Sequence, residues 1–145
     1  MIGLDVMNWL SWSLLSALFA SLTAILAKRG VAGVDANLAT AVRTSVVVGF
    51  TWLLALATRQ PKAFQNFTTA TWVFLVLSGL ATGLSWLCYF HALQLGQASR
   101  VAPIDKLSVA LVILFGVVFL GEDFTWGKGL GGLLIVAGAI TIALE

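Results

Sequence analysis

The chain has 145 residues, of which 60% are apolar and 10% charged, with a net charge of +2 and a mean hydropathy of +1.02. Disordered chains are polar and charge-rich, so this composition excludes one. It equally excludes a soluble globule, which at this size has too little interior to hide so much apolar surface. The eight Lys and Arg are dispersed along the sequence and form no basic stripe of the kind nucleic acid requires.

A helix needs roughly 20 apolar residues to cross a hydrocarbon layer about 30 Å thick. The sequence supplies five such stretches, at about 8–27, 36–58, 70–92, 101–120 and 126–144. The expected fold is therefore all-α, a polytopic membrane protein built as a bundle of five transmembrane helices. A single domain is expected over 1–145. The first stretch follows Asp5, has no Lys or Arg ahead of it, and is too long for a signal-peptide core, so it reads as a retained span. It stops at Lys28-Arg29-Gly30, and the second stops before Arg59-Gln60-Pro61-Lys62. Gly121-Glu122-Asp123 breaks the fourth from the fifth, as a solvated turn or as the cap of the last helix. Each stretch is apolar on all faces, the pattern of a helix surrounded by lipid or protein. The alternation that a membrane barrel demands is absent.

Tryptophans fall at the edges of these spans. Trp9, Trp12, Trp72 and Trp126 are placed for the headgroup level, where amphipathic rings are favoured. Trp52 and Trp86 are deeper and read as packing or lipid contacts. Small residues recur at helical spacing, as close packing between membrane helices requires. Ser16, Ala20 and Ala24 line the first span, beside Ser13, Ala17 and Ser21. Gly79 and Gly83 in the third span and Gly127 and Gly131 in the fifth form GxxxG pairs, expected to serve packing. In the second span, Thr40, Thr44, Thr51 and Thr58 fall near one face. Interhelical hydrogen bonding is the plainer expectation for these, and a polar cavity lining the sharper one.

Ionisable residues inside spans mark function by default. Arg43 lies about seven residues into the second span, and Asp105 and Lys106 about five into the fourth, just after Pro103. An Arg43–Asp105 pair would neutralise both, with Lys106 turned about 100° away round the helix. Arg43 and Lys106 have snorkelling to the headgroups as an alternative; the short side chain of Asp105 makes it harder there. Pro103 reads as the start of the fourth helix, where its missing donor is harmless. In the third span Trp86 and Tyr89 share a face, while His91 turns away near the span's end, where an interfacial histidine is expected. Arg43, Trp86, Tyr89, Asp105 and Lys106 are thus the substrate-path candidates, with Thr44 and His91 as weaker ones. HExxH, GxSxG and CxxC are all absent, and one His with one Cys makes no metal site. No catalytic residue, metal or cofactor is expected, and no carboxylate lies at mid-membrane depth to argue for proton coupling.

An odd number of spans puts the termini on opposite sides. Arg59, Lys62 and Lys128 fall on one face and Lys28, Arg29 and Arg100 on the other, three against three. Adding Arg43 and Lys106 gives three against five. Orientation follows the cytoplasmic excess of Lys and Arg. The preference here is weak: C-terminus inside, or insertion in both orientations.

Several segments carry a resemblance: Lys28-Arg29-Gly30-Val31, Ser78-Gly79-Leu80-Ala81-Thr82-Gly83-Leu84-Ser85-Trp86, Tyr89-Phe90-His91-Ala92-Leu93-Gln94-Leu95-Gly96, Ser99-Arg100-Val101-Ala102-Pro103-Ile104-Asp105-Lys106-Leu107-Ser108, and Leu120-Gly121-Glu122 before a Gly-rich final span. Through them the chain resembles the EamA-type domain of the drug/metabolite transporter superfamily, in its five-span bacterial and archaeal branch. The resemblance implies half of a ten-span inverted-repeat transporter, a small-molecule substrate and the prokaryotic cytoplasmic (inner) membrane. Inverted repeats place equivalent sites on both sides of the midplane. A single copy reproduces that by pairing with an oppositely oriented twin, which the three-to-three charge count permits. The resulting expectation is a secondary transporter working by alternating access as an antiparallel homodimer in the bilayer. The alternative is a non-transporting subunit that assembles with a partner membrane protein. A membrane-embedded enzyme has the least support.

Overall fold

The computed structural model describes residues 9–58 and 66–145. Asp5, Asn8, Arg59 and Lys62, on which parts of the sequence reading rest, lie outside them. Six helices follow in chain order: α1 (Trp9–Gly30), α2 (Ala36–Ala57), α3 (Thr69–Leu95), α4 (Ala98–Asp105), α5 (Leu107–Leu120) and α6 (Trp126–Ala143). Among the described residues there is no strand. With α4 and α5 taken together as Ala98–Leu120, five segments are long and apolar enough to cross a membrane. The fold is all-α and that of an integral membrane protein.

The surface confirms the solvent for which the chain is built. The buried apolar residues are few and mostly small: Ala24, Ala27, Val31, Ala36, Phe90, Leu93 and Ala139. Large apolar side chains on every span face outward, including Phe74 at 72% exposed and Phe119 at 76%. Lipid tails are as apolar as leucine, so this exposure costs nothing in a bilayer. Trp9 and Trp126 are among the most exposed side chains, at 78% and 90%, each at the first residue of its helix. Trp72 meets Phe67 edge-on with ring centroids 5.5 Å apart at the start of α3.

The chain divides into two compact units, Gly30–Gln94 and Met1–Arg29 with Leu95–Glu145. In the first, Asp35 caps α2, its carboxylate accepting from the Leu38 amide at 2.9 Å. The preceding turn uses Gly33 in the left-handed region, φ 74°. Gln94 ties this turn to the end of α3, its Nε2 donating to the Val34 carbonyl at 2.6 Å and the Val31 carbonyl at 3.4 Å. The start of α2 and the end of α3 therefore lie at one level, and Val31, Ala36, Phe90 and Leu93 are buried there.

In the second unit, α6 packs on both α4 and α5. Of the α6 glycines, Gly132 meets α5, where an added Cβ would lie 3.3 Å from Ile113 Cδ1, and Gly129 meets Phe124, whose ring an added Cβ would meet at 2.7 Å. The expected packing glycines Gly79, Gly83 and Gly131 have nothing within 4 Å of an added Cβ, and Gly127 only Thr125 at 3.9 Å. Gly131 lies one residue, and so about 100° of helix, away from the face that meets α5. Lys28 donates from Nζ to the Gly96 carbonyl at 2.7 Å.

The turn between α5 and α6 takes the solvated form of the two expected for it, with Gly121, Glu122 and Asp123 exposed. The cap of α6 is Thr125, whose hydroxyl accepts from the Lys128 amide. Glu122 and Asp123 instead receive Lys128, whose Nζ reaches Glu122 Oε2 at 3.4 Å and the Asp123 carbonyl at 2.9 Å. Gly121 adopts φ 67°, and the amides of Gly121 and Glu122 both donate to the Gly116 carbonyl. The Glu122 carboxylate lies over Gly116, 3.3 Å from where a Cβ would stand.

The fourth span also differs from its expected form. It begins at Ala98 instead of Val101, so Pro103 stands inside α4, and it breaks at Lys106. Proline lacks an amide hydrogen and crowds the preceding turn. The chain then tightens: the Lys106 amide donates to the Pro103 carbonyl at 3.1 Å, and helix resumes at Leu107. Pro103 thus lies inside a helix and not at its start, and the interruption falls at Lys106.

Candidate functional site

In the Gly30–Gln94 unit, Arg43 of α2 meets the aromatic face of α3. Its guanidinium carbon lies 4.1 Å from the centre of the Trp86 ring and 5.6 Å from that of Phe90. Helical spacing explains the arrangement. Trp86, Phe90 and Leu93 recur at i, i+4 and i+7 on α3, and Ala36, Thr40 and Arg43 do so on α2. A cation over an aromatic ring is attracted by its quadrupole, by about 2 kcal/mol when water is excluded. Phe90, 3% exposed, forms the floor; the sequence reading did not single it out. Tyr89 is half-buried and within electrostatic range of Arg43.

Arg43 is seven residues past the start of α2, about 10 Å at the helical rise. Trp86 is nine residues before the end of α3, about 13 Å, and Phe90 five, about 7 Å. The guanidinium is closer to the deeper of the two rings.

The threonines of α2 behave otherwise than expected. Thr40, Thr44, Thr51 and Thr58 each donate to the carbonyl four residues earlier in their own helix. A hydroxyl on a helix readily reaches that acceptor, which commits its one hydrogen within the helix and leaves only its lone pairs for a neighbour. Thr40 is buried and Thr44 half-buried beside Arg43. His91 is exposed, with Nδ1 3.2 Å from the Leu87 carbonyl, as an interfacial histidine would be.

In the other unit, Asp105 and Lys106 face each other across the break between α4 and α5. Lys106 Nζ lies 3.1 Å from Asp105 Oδ2, with the side chains 56% and 37% exposed. On an unbroken helix neighbouring side chains diverge by about 100°. The change of path at Lys106 lets them meet, which corrects the expectation that Lys106 turns away. An exposed pair of this kind is worth little in stability. Among the described residues no cluster of three or more His, Cys, Asp or Glu forms a metal site.

The EamA-like transporter family matches residues 7–144. The chain belongs to that family. Among its relatives is a protein of Sinorhizobium sp named as an uncharacterized transporter in the cobO 3' region. It is 50% identical over 137 residues, which cover 94% of this chain and 97% of the relative. The uncharacterized transporter YxxF of Bacillus subtilis is 28% identical over 90% of this chain, which spans 41% of that relative. A probable 4-amino-4-deoxy-L-arabinose-phosphoundecaprenol flippase subunit, ArnF of Erwinia tasmaniensis, is 43% identical over 70 residues, covering 47% of this chain and 55% of the relative. No solved structure matches. The protein is accordingly a transmembrane member of a transporter family.

Proposed function

We propose that this EamA-family chain carries a small metabolite or drug-like solute across the prokaryotic cytoplasmic membrane by alternating access, as an antiparallel homodimer. The observation that carries the reading is Arg43, a cation held against Trp86 well inside a span. Such a group is costly in lipid and is retained where it meets a solute or an ion. Arg43, Trp86 and Tyr89 contact the solute from one unit. Asp105 and Lys106, at the break between α4 and α5, are solute-contact candidates of their own unit. Thr44 and His91 contribute less, since the Thr44 hydroxyl donates to the Thr40 carbonyl and His91 is exposed near the end of α3.

Dimerisation is supported by three features. The spans are odd in number, the flanking cations balance at three against three, and Gly79, Gly83 and Gly131 offer open small-residue surface. A longer relative such as YxxF has length for two such domains in one chain. The second reading, a subunit working with a different membrane protein, is favoured by the ArnF relative, which is named a flippase subunit.

Reconstitution of the purified chain alone separates the two. Movement of a labelled solute above that of empty liposomes supports the carrier, whereas activity only after addition of a second chain supports the subunit. Reporter fusions at the C-terminus test the antiparallel arrangement, and a single strict orientation overturns it.

A further inference from the structure

We propose that Arg43 and the Trp86–Phe90 face form a phosphate-binding subsite, and hence that the solute, or a lipid that the site engages, carries a phosphate group. The inference rests on the transporter reading for its physiological meaning but not for its test. Arg43 carries five N–H donors and a full charge. Trp86 and Phe90 stabilise the charge but accept no conventional hydrogen bond. Among the described residues the ion pairs are Lys106–Asp105 and Lys128–Glu122, and no side chain or carbonyl accepts from Arg43. The hydroxyls best placed to help, those of Thr40 and Thr44, donate to backbone carbonyls instead.

No buried side-chain nitrogen or oxygen among the described residues lacks a hydrogen-bond partner. The half-buried Arg43 has none, so its nitrogens are not sealed in and can be reached from outside the protein. The guanidinium is therefore fixed by its rings, uncompensated in charge and open at its donors. A planar fork in that state matches an oxyanion that accepts two parallel N–H bonds. Phosphate fits better than carboxylate, because it brings more oxygens to the five donors and up to twice the charge. Trp86 and Phe90 then supply an apolar surface beside the anion, suited to the body of an amphiphile or to a planar ring.

The test is direct binding by the full chain, with two probes that share the phosphate. In neutral detergent, glycerol 3-phosphate is titrated against glycerol and acetate as controls. In nanodiscs, phosphatidylcholine with phosphatidic acid is compared with phosphatidylcholine alone, with thermal unfolding as the readout. Glycerol 3-phosphate alone stabilising the protein assigns the site to a soluble phosphate. Stabilisation by phosphatidic acid alone assigns it to a lipid headgroup.

Either effect should fall roughly tenfold or more in affinity for Arg43→Gln, the loss expected for a charge-assisted contact. Arg43→Lys keeps the charge without the fork, and should also bind more weakly than wild type. It decides the matter if Arg43→Gln does not fold. Wild-type affinity in either folded variant, tighter binding of acetate, or no response to either phosphate overturns the proposal. Solute transport by the purified chain with no response to either phosphate would overturn the subsite while leaving the transporter reading intact. Phosphate binding without transport would do the reverse.

Discussion

Replacing Leu93 with alanine tests what holds this protein together when its solvent is lipid. Leu93 is 0% exposed, whereas Leu77, on the same helix and on the far side from Gly79, is 55% exposed. In a water-soluble protein Leu→Ala in a core costs about 2.7–5 kcal/mol. Of this, roughly 2.4 kcal/mol is transfer of three carbons from water, at about 0.8 kcal/mol each. Here the unfolded reference is a set of inserted helices whose leucines already face lipid, so the transfer part vanishes. What remains is the loss of packing around the void, about 0.3–2.6 kcal/mol by difference. Leu93→Ala should therefore destabilise by about 1–2 kcal/mol, and Leu77→Ala by less than about 0.5 kcal/mol. Reversible unfolding in mixed micelles, with both variants measured beside wild type, gives the comparison. Equal destabilisation by the two would refute the reasoning, since it would mean that burial within the chain is not what distinguishes the sites.

Three further outcomes follow from named contacts. Gly121→Ala forces an alanine into φ 67° and should destabilise by about 1–2 kcal/mol in the same assay, whereas Gly131→Ala, where an added Cβ meets nothing, should be neutral for the single chain. Asp35→Ala removes the cap of α2 and should cost about 1 kcal/mol, with Asp35→Asn recovering most of it; indistinguishable stabilities would show that the cap contributes nothing. Gly83→Leu should leave helix content and insertion unchanged but reduce cross-linked dimer in membranes; undiminished cross-linking would remove the glycine face of α3 from the dimer contact.

The spans were readable because each is a continuous apolar run closed by charge, glycine or proline, and because lipid imposes one length on all of them. Lys28-Arg29-Gly30 and Gly121-Glu122 are such closures. The break at Lys106 was not readable, because neither glycine nor proline stands at that position. Threonine spacing fixed a shared face on α2 but said nothing of where the hydroxyls point, and they turn to their own helix. For Arg43 the sequence showed a cation in need of compensation and suggested the nearest unlike charge, Asp105. The structure gives Arg43 two rings and gives Asp105 its neighbour Lys106. A usable signal was present. Counting inward from the 28–35 turn along α2, and outward along α3, brings residue 43 between residues 86 and 90. Phe90 and Gln94 stood in the Tyr89–Gly96 segment that carries the family resemblance, but nothing in the sequence gave either its contact.

The five-residue connection after Leu120 bears on how the polypeptide reaches the bilayer. Its amides close on Gly116, Lys128 of α6 closes on its Glu122 and Asp123, and its Thr125 hydroxyl caps α6. Backbone groups entering hydrocarbon must already have partners. A hairpin whose bend is satisfied from within can be released from the insertion machinery as one finished piece, with the strongly apolar α5 carrying the glycine-rich α6 across beside it.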